Sequence, residues 1–320
     1  MNLDVVTVGK SCFEIFVSGR DIRPGIVDRD ANLVLSDKNT YQAEHSVYEV
    51  GGSALVSAMT FARQGIKTGC ITRTGRDLLS NEIKQVQKKE GISTEYNIGI
   101  PEHHTDMNFH IITERSSDIK IKYDNSYRAM TPKDFKFPNL SMRFLYFAGL
   151  PQDYRAFKYL ASWAKTHGAE TFLNVTSAHG YKNRQINYVL SSVENIMMPL
   201  SFATKLFNEV HDPRELIRQL LAFGAKTVLL YDVKEEAYAC IDKTIYSCGT
   251  YKSINPLDLT GANDAFASAY VSALIQNRSA VEALTLASAN ACSVMEVFGS
   301  RAGILKKPAL RSMQVSIGDI

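Results

Sequence analysis

At 320 residues with 45% hydrophobic side chains, the chain can bury one large core, and a single α/β domain of this length is ordinary. Its 36 Lys plus Arg against 33 Asp plus Glu leave it near charge balance, which excludes a global field that would draw it to nucleic acid or to a membrane. Five scattered cysteines without CxxC spacing argue for a reducing compartment and against zinc. No basic leader and no apolar run of about eighteen residues occurs, so a cytoplasmic protein is expected.

In chain order, apolar β-branched runs predict strands over Val5 to Val8, Lys67 to Thr72, Phe144 to Ala148, Thr171 to Asn174, Asn195 to Met198 and Thr227 to Tyr231. Helical spacing predicts helices over Ser53 to Gln64, Leu79 to Gly91, Arg155 to His167, Gln185 to Ser192, Asp212 to Phe223, Asp264 to Asn277 and Ala280 to Phe298. Gly65, Gly91, Gly168, Gly224 and Gly299 stand where C-terminal caps belong. Strands alternating with helices predict a sheet covered on both faces. Two stretches, 13–50 and 106–123, break the alternation. Within the second, Asn108 to Thr113 and Asp118 to Tyr123 alternate apolar with polar residues and read as strands of a small second sheet. No Pro-rich linker or repeat divides the chain.

The segment Asp258-Leu-Thr-Gly-Ala-Asn-Asp-Ala-Phe266 puts small residues and a carboxylate at the start of a helix. Gly261, Ala262 and Asn263 carry little bulk, so their amides and the positive end of the helix can converge on an anion. A carboxylate repels a bound phosphate, so Asp264 is the natural group to take a proton from a hydroxyl as that oxygen attacks a phosphoryl group. An ordinary first-turn carboxylate that caps orphan amides would look the same in the sequence. Elsewhere, Val8-Gly9-Lys10-Ser11 looks like the end of a phosphate loop but lacks the preceding glycine. His103, His104 and His110 lack ligand-like spacing and read as surface or small-sheet histidines. No Gly-x-Gly-x-x-Gly follows the first strand, which disfavours a dinucleotide enzyme.

The segment from Asp258 resembles the C-terminal signature of the ribokinase-like, or PfkB, carbohydrate kinases, Asp-Thr-x-Gly-Ala-Gly-Asp-x-Phe. Gly51-Gly52-Ser53-Ala54-Leu55-Val56-Ser57-Ala58 through Gly65 is similar to the N-terminal one, Gly-Gly-x-x-x-Asn-x-Ala-x-x-x-Ala-x-x-Gly. The resemblance implies a three-layer α/β/α sandwich with a mostly parallel central sheet, one domain over 1–320, and a small β-sheet lid from the two excursions. It implies ATP-dependent phosphorylation of a hydroxyl on a small sugar, sugar acid or nucleoside. Asp264 would be the base, Gly261, Ala262 and Asn263 the anion hole, and Glu14, Gly51 and Gly52 the acceptor site. Asp258, Thr260 and Gly303 would serve the nucleotide, with Mg2+ and a monovalent cation as further cofactors, and two lids would pack in a homodimer. Several positions depart from the family. Val56 replaces an Asn, Asn263 replaces a Gly and is the non-glycine residue best suited to φ > 0, and Leu200 and Ala203 replace the Asn and Glu that order magnesium. Tyr231 to Glu236 lacks the glycines of a nucleotide-binding turn. These losses also suit a catalytically weak relative that binds sugar or nucleotide as a sensor or partner subunit.

Overall fold

The computed structural model describes residues 2–19, 25–27, 30–32, 40–112, 118–124, 130–137, 139–249, 256–306 and 315–319. Its strands are β1 (Asn2–Gly9), β2 (Cys12–Ser18), β3 (Gly25–Val27), β4 (Asp30–Asn32), β5 (His45–Gly51), β6 (Thr68–Gly75), β7 (Asn97–Ile100) and β8 (Met107–Ile112). They continue with β9 (Asp118–Tyr123), β10 (Ser141–Ala148), β11 (Glu170–Asn174), β12 (Asn195–Pro199), β13 (Thr227–Tyr231), β14 (Glu236–Ile241), β15 (Thr244–Gly249) and β16 (Val315–Asp319). The helices are α1 (Ser53–Arg63), α2 (Leu78–Lys89), α3 (Tyr154–Thr166), α4 (Asn183–Leu190), α5 (Leu200–Leu206), α6 (Pro213–Leu221), α7 (Ala262–Leu274) and α8 (Ala280–Met295).

Among the described residues, one sheet of ten strands runs in the order β16-β15-β14-β13-β12-β11-β10-β1-β6-β7. Neighbours from β13 to β7 are parallel, while β14, β15 and β16 add an antiparallel edge. A parallel strand is covered on both faces and so needs a continuous apolar run; Leu145 to Ala148 of β10 are apolar and buried without interruption. On one face Phe61, Phe266, Tyr270 and Leu284 form a core beneath α1, α7 and α8, and on the other Phe157, Leu160, Ile186 and Leu216 do so beneath α3, α4 and α6. The α/β/α sandwich expected from the alternation is therefore present. Ala265, Ala269 and Ala273 of α7 are fully buried, and their small side chains let neighbouring helices approach closely.

The four-stranded sheet runs β5-β2-β8-β9, and pairing fixes which residues share a face. Tyr48, Ile15, Phe109 and Ile121 lie opposite one another across it, as do Glu49, Glu14, Asn108 and Lys122 on the other side. Side chains alternate along a strand, so these two rows lie on opposite faces, one apolar and one polar. The apolar face is the outer one: Tyr48 is 73% exposed and Ile121 59%, whereas Glu14 and Asn108 are buried. Of the histidines expected at the surface or in the small sheet, His110 belongs to the sheet, where it is fully buried on the inner face and stacked on Phe16 with ring centroids 4.2 Å apart.

Two local expectations are corrected, and one departure from the family is explained. The left-handed backbone expected at Asn263 belongs to Gly261, with φ 79°, and Asn263 lies inside α7. Gly299 does not cap α8, which ends at Met295; its own φ is 95°, and a Cβ there would meet Glu49 Oε1 at 2.5 Å. Tyr231 to Glu236 turns without glycine because Asp232 Oδ1 accepts from the Lys234 amide at 2.8 Å and the Asp232 amide donates to the Glu236 carbonyl at 2.7 Å. Among the described residues, no helix is long and apolar enough to cross a membrane.

Candidate active site

The C-terminal ends of parallel strands are where an open α/β sheet exposes backbone to a ligand. Here the residues following β1, β10 and β11, including Lys10, Gly149 and Thr176, meet the polar face of the small sheet around a cavity of about 390 Å³. Asp264, Gly261 and Thr260 enter it from the start of α7, and Glu14, Asn108, Lys120 and Lys122 from the small sheet.

Asp264 sits in the first turn of α7. Asn174, the last residue of β11, donates from Nδ2 to Asp264 Oδ1 at 3.4 Å and accepts on Oδ1 from the Tyr231 hydroxyl at 2.7 Å. Tyr231 supplies a proton to the amide oxygen, so the amide nitrogen is left to face the carboxylate. Burial pushes the Asp264 carboxyl up to about 7, the Glu14 charge adds to this, and Lys120 and Asn174 draw it back. A carboxyl poised there can accept a proton near neutral pH.

Before α7, the buried Asp258 accepts from the Thr260 amide at 2.9 Å and from the Gly299 amide at 3.0 Å. It thereby ties the loop entering α7 to the turn after α8. The left-handed Gly261 fits against that turn, where a Cβ would come within 2.8 Å of Ser300 Cβ. The Ala262 amide donates to the Leu259 carbonyl at 3.2 Å, so one of the amides expected in the anion hole is engaged within the loop.

Glu14 is held from three sides. It accepts from Ser300 Oγ at 2.7 Å and Asn108 Nδ2 at 3.1 Å, and His110 Nε2 lies 3.5 Å away. Burial alone would raise this carboxyl, but the bonds from His110, Ser300 and Asn108 outweigh it and hold Glu14 below its ordinary value. Its cross-strand neighbour Glu49 goes the other way, pushed up to about 7 by burial and the Glu14 charge despite the Ser300 amide and Arg301. The pair thus avoids two full charges side by side. On the far side of Asn108, Lys10 donates to Asn108 Oδ1 at 3.1 Å and pairs with Asp124.

Of the residues marked out in the sequence, Asp264, Gly261, Glu14, Gly52 and Thr260 meet at the cavity. Ala262, Asn263, Gly51, Asp258 and Gly303 lie off its wall. Gly51 leaves room for the Glu14 carboxylate, and Gly303 packs on the Ser293 carbonyl of α8, which accounts for both glycines. Asn108, Ser300, Lys10, Lys120 and Lys122 were not singled out as site residues. The alternation of the second excursion marks Asn108, Lys120 and Lys122 as sharing a face, but only the sheet register directs that face inward.

The sequence profile of the pfkB family carbohydrate kinases matches residues 25–307. A ribokinase of Staphylococcus aureus is 28% identical over 228 residues, 70% of this chain and 74% of that protein. Among solved structures, the Arabidopsis thaliana ribokinase complexed with ribose and ATP superposes with a TM-score of 0.77 at 18% identity, covering 95% of this chain and 96% of that one. The Thermotoga maritima ribokinase does so at 0.75 and 17% identity, covering 94% and 96%.

Proposed function

The chain belongs to the pfkB family of carbohydrate kinases and is a small-molecule phosphotransferase; from that membership we propose that it moves the γ-phosphoryl group of ATP to a hydroxyl of a small sugar, sugar acid or nucleoside. The observation that carries the reading is Asp264, a carboxyl raised to about 7 on the cavity wall at the positive end of α7. ATP, when bound, supplies the phosphoryl group. Asp264 takes the proton from the acceptor hydroxyl, and the first turn of α7 presents amides to negative charge that develops on the phosphoryl oxygens. Glu14 and the Gly52 main chain position the acceptor, with the small sheet serving as a lid that excludes water.

Among the described residues, no group of three or more His, Cys, Asp or Glu side chains is arranged to hold a metal. The family's metal-ordering pair is Leu200 and Ala203 here, and Ala203 is fully buried. Magnesium would therefore arrive with the nucleotide, without a protein ligand set of its own. Gly303, packed on α8, likewise offers a monovalent cation no side-chain donor. The degraded metal-ordering pair supports a second reading, a weak kinase that serves as a sugar or nucleotide sensor. A coupled ADP-release screen over pentoses, hexoses, sugar acids and nucleosides separates the two. The kinase reading expects acceptor-dependent release for at least one class, and none from any class, with sugar binding retained, selects the sensor.

We assign the protein to the cytoplasm, as all five cysteines are free and buried, and give it no nucleic-acid or membrane partner. A homodimer through the small sheets is supported by Tyr48, Ile121, Tyr123 and Phe109, from 38% to 73% exposed on one face. Tyr48→Glu with Ile121→Glu is expected to halve the mass measured by light scattering without unfolding the chain. A wild-type monomer at micromolar concentration would refute the dimer.

A further inference from the structure

β9 carries apolar residues on its outer face and lysines on its inner one. Ile121 and Tyr123 are 59% and 41% exposed, while Lys120 and Lys122 pair with His110 and Asn108, whose side chains are buried. Both lysines line the cavity that holds Asp264. Building on the kinase reading above, we infer that Lys120 and Lys122 read an anionic group on the acceptor, so that the preferred acceptor is a sugar carrying a carboxylate or a phosphate and not a neutral sugar.

The lining holds Lys10, Lys120 and Lys122 against Glu14, Asp106, Asp124 and Asp264, so arrangement decides and not the formal sum. Lys10 is paired with Asp124, and Asp106 is fully buried. Glu14 faces Ser300 and Asn108, and Asp264 surrenders much of its charge near neutral pH. The two β9 lysines stand at solvent-exposed positions in the cavity lining. Lys120 and Asp264 line the same cavity, and the lysine's charge draws the carboxyl down, so an anion held by the lysines shares one cavity with the base. Val56 also lines the cavity, offering the acceptor an apolar surface where the family resemblance expects an amide. Inward lysines on an edge strand also deter unwanted strand pairing, but that role confers no preference among soluble sugars.

The test is calorimetry on the full chain without nucleotide, using D-gluconate, D-ribose 5-phosphate and D-ribose as probes. At least one anion is expected to bind about tenfold or more tightly than ribose, with the preference shrinking as salt rises. Lys120→Gln with Lys122→Gln should erase most of that preference, and Lys120→Arg with Lys122→Arg should keep it. Preference for gluconate alone identifies a carboxylate, and for ribose 5-phosphate alone a phosphate. Ribose bound as tightly as both anions, or a preference untouched in the glutamine variant, overturns the inference. ADP release over the same panel keeps the two readings apart. Anion-selective binding with no release here or in the wider acceptor screen defeats the kinase reading alone, while release with ribose as readily as with both anions defeats the role of the lysines alone.

Discussion

Asp264→Asn is expected to lower turnover by at least about a hundredfold while ligand binding stays near wild type, since it removes proton acceptance and little shape. The amide can still face Asn174, so the loop geometry survives. With burial and the Glu14 charge raising the carboxyl to about 7, the base is half ionised near that value and loses its charge progressively below it. Turnover of the wild type should therefore fall as pH drops below neutrality, and the residual rate of the variant should lose that limb. The same shift has a stability consequence of fixed sign. A carboxyl raised from 3.8 to about 7 in the folded protein leaves stability intact at low pH and removes it as pH climbs through that window. Asp264→Asn should thus gain more in Tm over wild type at about pH 8 than at about pH 4. Unchanged turnover would remove Asp264 from the chemistry, whatever the melting curves show.

Glu14→Ala is expected to destabilise the fold by about 3 kcal/mol and to raise the acceptor KM at least about tenfold. The reason is the set of donors it strands: Ser300 Oγ, Asn108 Nδ2 and His110 Nε2 all converge on one buried carboxylate. Glu14→Gln keeps an acceptor oxygen and the volume, and should recover most of the stability but less of the affinity. Since Glu14 is held below its ordinary value, its stabilising contribution is present above about pH 4.5 and fades as pH falls, the reverse of Asp264. Thermal scans of the three proteins beside acceptor titrations check both effects. A Glu14→Ala protein with the wild-type Tm and KM would show that the network is ornamental.

The parallel core and the start of α7 were legible in the sequence because each depends on local chemistry. Strands such as Phe144 to Ala148 are continuous apolar runs, and Gly-Ala-Asn-Asp at 261–264 is a helix start with a carboxylate in its first turn. The β14–β15 hairpin was not legible. Its two-residue turn uses Asp242 and Lys243 at φ 49° and 65°, with no glycine to announce it. α5 is seven residues long, too short for its periodicity to stand out. The site shows the same division. Asp264, Glu14 and Gly52, which meet at the cavity, were marked out from motifs, since motif residues sit at fixed spacing along the chain. Ser300 lies 286 residues from Glu14 in sequence and Asn108 lies 94, so their meeting is decided only when β2 pairs with β8 and the turn after α8 closes on the sheet. Tertiary packing also set the ionisation of Asp264 and Glu14 in opposite directions, because desolvation and hydrogen bonding depend on what surrounds a carboxylate and not on its place in the chain.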